Sequence, residues 1–130
     1  MTDSTLPVSP FGSHCGVVIT EREPGRCCGQ VELQGHHRNS AGMVHGGLIA
    51  TLADVIGGAA VIGQIPTEQY SATTDMTISY IRAAKSSCIS GEAKAYYVGS
   101  KMARAEVNIF DDDLLIAKVH LTFMLVQRKR

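Results

Sequence analysis

The sequence of 130 residues predicts an α+β domain in which an antiparallel sheet wraps around one long buried helix. Three observations carry that prediction. The stretch from Gly46 to about Gly63 places leucine, isoleucine, valine and alanine on every helical face, so it lacks a solvated stripe and needs enclosure. Beyond it, only strand signals occur. In one of these strands Arg104, Glu106 and Asn108 alternate with Ala103, Ala105, Val107 and Ile109, the period of a sheet with one wet and one dry face. The dry face and the apolar helix each need what the other provides.

Residues 1–12 read as a flexible N-terminal arm before a domain spanning 13–127. Asp3 and two prolines stand where a secretory leader needs a basic start and an apolar run, so a cytoplasmic protein is expected. Gly16 to Glu23 and Cys28 to Gln34 read as strands joined by a Pro24-Gly25 turn. Within the helix, Ala50, Ala53, Gly57, Gly58 and Ala60 allow close packing, while Asp54 and Thr51 argue against a membrane span. Ala72 to Ile81, Cys88 to Val98, Ala103 to Phe110 and Leu114 to Val126 follow as antiparallel strands, with Asp111, Asp112 and Asp113 as a hairpin turn. Two strands, a helix and four strands in that order suggest the hotdog type of fold.

Composition narrows the function. Twelve basic residues balance 12 acidic ones, so no global field favours nucleic acid or an anionic membrane, and neither partner is expected. Cys27 and Cys28 are adjacent and no CxxC pair occurs, which suits reduced thiols rather than zinc or a disulfide framework. His14, His36, His37 and His120 fall at no metal-ligand spacing. A GxSxG elbow, a P-loop and a dinucleotide fingerprint are also missing, so no metal and no cofactor is expected.

One polar loop leads into the apolar helix: Asn39-Ser-Ala-Gly-Met-Val-His45-Gly46-Gly47, followed by Asp54 within the helix. Asn39, His45, Gly46, Gly47 and Asp54, together with the strand Thr73-Thr-Asp-Met-Thr-Ile-Ser-Tyr80, resemble the signature of hotdog-fold acyl-CoA thioesterases of the phenylacetate-degradation (PaaI) type. The likeness covers roughly residues 30–126; Ala83 stands where relatives often have proline. The resemblance implies an acyl-CoA substrate, Asp54 as general base or nucleophile, Asn39 and His45 as holders of thioester and water, and Thr73 as the residue that orients water or carboxylate.

Elementary chemistry agrees from its own side. Gly46 and Gly47 lie at a helix start, where unpaired N–H groups and the positive dipole end can polarise a carbonyl oxygen. A glycine pair can also serve packing alone, and Asn39 can simply close its loop. Asp54 amid apolar neighbours is costly without a partner or a task. Arg82, Lys85, Lys101 and Arg104 flank strand ends and are candidates for the coenzyme A phosphates.

A non-catalytic acyl-CoA binder and a hotdog dehydratase or hydratase are the competing readings. The latter enzymes resemble one another in an Asp followed by His at the fifth residue on, or a His followed by Glu at the fourteenth; both places are occupied here by Ala59. Finally, Gly46 and Asp54 are separated by about 12 Å of helix rise, too far to act on one carbonyl. A two-fold dimer with shared sites is therefore expected, and the resemblance implies further pairing into a homotetramer.

Overall fold

A computed structural model describes residues 6–129. The chain forms α1 (Pro10–His14), β1 (Val17–Glu23), β2 (Arg26–Glu32), a 3-10 turn (Gly35–His37), α2 (Gly46–Ile62), β3 (Gln69–Tyr80), β4 (Cys88–Val98), β5 (Met102–Asp111) and β6 (Leu114–Gln127). The six strands make one antiparallel sheet in the order β1-β2-β4-β5-β6-β3, so β1 and β3 are its edges. Every strand touches α2. This is the expected α+β hotdog architecture, with the core between the dry face of the sheet and the helix.

Leu52, Ala53, Ile56, Ala60 and Val61 of α2 are fully buried, against inward residues such as Ala103, Val107, Leu121 and Phe123. Burial of a Leu or Ile side chain contributes roughly 1.5–3 kcal/mol, so this one helix face supplies much of the driving force. Ile56 is seated by two glycines that pair across β2 and β4, Gly29 and Gly91. A Cβ at Gly29 would come within 2.7 Å of one Ile56 methyl and a Cβ at Gly91 within 2.8 Å of another, so neither position has room for a side chain.

The structure departs from the sequence reading in three places. Pro10–His14, divided by that reading between arm and domain, form a helix: the Ser9 hydroxyl caps the Gly12 N–H at 3.2 Å, and Gly12 lies so close to Val55 of α2 that a Cβ would approach it to 2.8 Å. The first five residues of the arm lie outside the described residues. Asp111 belongs to β5, and the hairpin turns on Asp112, at φ +53°, and Asp113. Most relevant to function, α2 is enclosed by its own chain on one side only. Gly47, Thr51, Asp54, Gly58 and Ile62, spaced three or four residues apart, form an outer stripe that is exposed or half-buried.

The adjacent cysteines point to opposite faces as an extended chain requires, Cys27 buried and Cys28 half-buried. Burial pushes the Cys27 thiol up to about 11, which keeps it protonated and unreactive near neutral pH.

Candidate active site

The start of α2 is built by its cap. His45 precedes the helix in an extended conformation, and its Nδ1 accepts the Gly47 N–H at 2.9 Å. That bond fixes the neutral ring with its proton on Nε2, leaving an exposed N–H donor. It also removes Gly47 from the pair of free donors expected from sequence. The Leu48 N–H turns back to the His45 carbonyl at 3.0 Å, and the Gly46 N–H has no protein acceptor among the described residues. Gly46 is further constrained by Tyr80 of β3, whose hydroxyl donates to the Gly46 carbonyl at 2.9 Å and lies 3.1 Å from where a Cβ would sit. A groove of about 420 Å³ opens here, lined by Val44, Gly46, Gly47, Tyr80, Arg82 and Ala84 among others.

Asn39 serves its loop. Its Oδ1 accepts the N–H groups of Ala41 at 2.9 Å and Met43 at 3.1 Å, the Asx-type closure that was the alternative to a binding role. Only its Nδ2 amide remains to donate elsewhere.

Asp54 lies half-buried on the outer stripe of α2, two turns beyond Gly46, and the Thr73 hydroxyl donates to its Oδ1 at 2.6 Å. A β-bulge explains why Thr73 rather than Thr74 makes this contact. Thr73 pairs with Phe123 and Asp75 with Thr122, so Thr74 is the extra residue, and its own hydroxyl turns to the Thr122 carbonyl at 3.2 Å. Asp54 and Thr73 share the wall of a second cavity, about 560 Å³, with apolar Ile19, Val55, Ile62 and Phe123 and with Ser71 and Arg22. Arg22 was not singled out in the sequence, because simple alternation along β1 turns it outward. A second bulge reverses that: Ile19 pairs with Gly29 but Glu21 with Cys28, so Arg22, opposite buried Cys27, shares the inner face.

The four cations divide. Arg82 lines the groove at Gly46, and Lys85 lies three residues on in the same loop. That loop is pinned by Asp111, whose carboxylate accepts the Lys85 N–H at 2.6 Å together with the Ser86 N–H and hydroxyl. The Lys85 N–H, followed by the Ser86 hydroxyl, holds the Asp111 carboxyl below its ordinary value of 3.8. Arg104 stands on the wet face, because its neighbours Ala103 and Ala105 are fully buried, and Lys101 lies in the β4–β5 turn, where its carbonyl accepts the Leu125 N–H. Neither lines the groove at Gly46 in its own chain. Tyr80 and Asp111, read from sequence only as part of a strand and of a turn, and Arg22, not singled out at all, are thus the residues whose place near the site sequence reasoning missed. A glycine at a helix start next to a strand ending in tyrosine is a signal for the first; the other two depend on register and loop geometry.

No group of three or more His, Cys, Asp or Glu side chains suited to a metal occurs among the described residues, and none of their helices is long and apolar enough to cross a membrane.

Comparison with known proteins gives the family and the fold. A family model described as the thioesterase superfamily matches residues 41–118, more than half of the chain and the segment holding Gly46, Asp54 and Thr73. A Halobacterium salinarum protein that carries a provisional esterase name is 38% identical over 76 residues, 57% of this chain; the match spans only half of that relative's length. The proofreading thioesterase EntH of Klebsiella pneumoniae is 24% identical over 102 residues, covering 77% of this chain and 73% of its own. Among solved structures, a conserved Pseudomonas aeruginosa protein superposes with a TM-score of 0.87 at 26% identity, over 91% of this chain and 94% of that one. A Bacillus halodurans protein solved with CoA gives 0.83 at 25% identity, over 92% and 80%.

Proposed function

Because this chain belongs to the thioesterase superfamily, we propose that it hydrolyses an acyl-coenzyme A thioester to the free acid and coenzyme A. The observation that carries the reading is the pairing of an unoccupied helix-start N–H at Gly46 with a carboxylate, Asp54, held by Thr73. A thioester carbonyl needs an oxyanion donor, an activated water and an apolar pocket for the acyl group. Gly46 N–H supplies the first, and the Nε2–H of the adjacent residue His45 is a second donor on this reading. Thr73 occupies Asp54 Oδ1 and leaves Oδ2 to accept a proton from water. The water oxygen then bonds to the carbonyl carbon, the C–S bond breaks, and the departing thiolate takes up the proton. The CoA-bound state of the Bacillus halodurans relative supports the substrate class, and Arg82 and Lys85 are the cations best placed for its phosphates.

The site on this reading is completed by two chains. Gly46 and Asp54 open into separate hollows of one chain, separated by about 12 Å of helix rise. The outer stripe of α2 and the free edge of the 12-residue strand β3 are the surfaces a second copy would cover. A two-fold axis there sets Asp54 and Thr73 of one protomer against Gly46, His45 and Asn39 of its partner, making two equivalent sites. Pairing of such dimers into a homotetramer would use the wet face of the sheet.

Release of free thiol from a panel of acyl-CoA thioesters tests the activity. Turnover that disappears in Asp54→Asn is the expected result; saturable binding with no thiol released by the wild-type protein would instead identify an acyl-CoA binder.

A further inference from the structure

The cavity at Asp54 contains a cation that the hydrolytic reading does not use. Arg22 is half-buried in its wall, turned to the inner face by the β1 bulge, and it forms no ion pair with a described residue. The other arginine of this hairpin, Arg26, contrasts with it: on the outer side it meets Glu21 at 3.0 Å and Glu92 at 2.7 Å. Acidic partners were therefore available near the strand, yet the bulge moves Arg22 away from them into an otherwise largely apolar hollow. Bulges that re-aim a side chain are common beside functional sites.

The position of Arg22 within the cavity gives it a direction. The end of β1 lies against the C-terminal end of α2, where Gly63 is so close to Pro24 that a Cβ would approach its Cα to 3.3 Å. Asp54 is two turns earlier in the helix, and Val55, Gly58, Ala59 and Ile62 line the stretch between. The cavity thus has a carboxylate at the end toward Gly46, an apolar middle, and a guanidinium with the Ser71 hydroxyl at the far end. An acyl group whose thioester carbon lies near Asp54 would point its other terminus toward Arg22.

We propose that Arg22 is a specificity-determining residue, and that the substrates are acyl-CoA thioesters whose acyl group ends in a carboxylate. This rests on the thioesterase reading above and adds the acyl class to it. A partly buried guanidinium with no ion-pair partner among the described residues matches a terminal carboxylate in charge and in two-point geometry, whereas a methyl terminus would offer it no partner. The cavity volume of about 560 Å³ lies in the range of small-molecule sites.

The test compares ω-carboxyacyl-CoA thioesters of about four to eight carbons with methyl-ended acyl-CoA thioesters of the same lengths, reading kcat/KM from released thiol. The wild-type protein should favour the carboxylated member at its best length. Arg22→Gln should lower the ratio of the two by roughly tenfold to a hundredfold, the size of one lost charge-assisted contact, acting mainly through KM. Arg22→Lys should restore part of it. Because the ratio is taken within each variant, a general loss of folded protein cancels. A wild-type ratio at or below one at every length, or a preference that survives Arg22→Gln, overturns the assignment while leaving the thioesterase reading intact. Failure of the wild-type protein to release thiol from either series overturns both.

Discussion

The start of α2 and its middle solve the same problem, presenting polar groups on an apolar helix, by different means. At Gly46 the chemistry is main chain: a free N–H, a cap from His45, and a tyrosine laid against a residue with no side chain. At Asp54 it is side chain: a carboxylate on the outer stripe, with Thr73 and Arg22 delivered by bulges in two edge strands on either side of the helix. Main-chain donors fixed by helix geometry tolerate little change at one atom, whereas the side-chain half depends on register over whole strands. The lesson is that the carboxylate and the main-chain donor of the proposed site are kept apart along a rigid rod, so each can be altered without disturbing the other.

Substitutions sharpen that separation. Asp54→Asn should lower turnover most, by on the order of a hundredfold or more, with the fold intact, since the amide keeps the shape but cannot take a proton; steady-state thiol release and thermal melting check both halves of the statement. Gly46→Ala should cost roughly tenfold to a hundredfold in turnover with modest loss of stability, because its methyl would lie 3.1 Å from the Tyr80 hydroxyl and crowd an arriving carbonyl. Thr73→Val should cost about tenfold, appearing in kcat rather than KM, whereas Thr74→Val, one residue along, should have little effect on either. Equal losses at Thr73 and Thr74 would mean that the bulge does not set the register of the site.

The smallest effect is expected away from both hollows. Asp111 holds the loop that carries Arg82 and Lys85, and its pKa is depressed by the Lys85 N–H and the Ser86 hydroxyl. A carboxyl bound more weakly to protons in the folded than in the unfolded chain stabilises above its ordinary value of 3.8 and loses that contribution as pH falls through the folded value. Wild-type protein should therefore exceed Asp111→Asn in stability at neutral pH, and the gap should close in acid; urea melts across that range measure it.

How much of this was legible in the sequence follows from the same contrast. Helix and strand periods located α2 and all six strands, because each depends on local patterning that burial reinforces. His45, Gly46 and Gly47 were legible as a helix start, but the cap bond that engages Gly47 was not, since any of several residues can satisfy a first-turn N–H. Thr73 was separable from Thr74 only through the bulge, which inserts one residue without a composition signal. Arg22 was invisible for the same reason: the alternation Ile19, Glu21, Glu23 points it outward until the register shift reverses the face. The expected full enclosure of α2 failed within one chain because the sheet curls over one side of it, leaving the outer stripe for the second copy that the proposed site requires.

That requirement is the central claim, and refolding two inactive variants together tests it directly. Asp54→Asn and Gly46→Val should each be nearly inactive alone. With random pairing about half the dimers are mixed, and each mixed dimer holds one site with both native residues and one with neither, so roughly a quarter of wild-type activity should return. If mixed dimers are shown to form and thiol release stays at the level of the separate variants, donor and carboxylate do not act across two chains and the shared site is wrong.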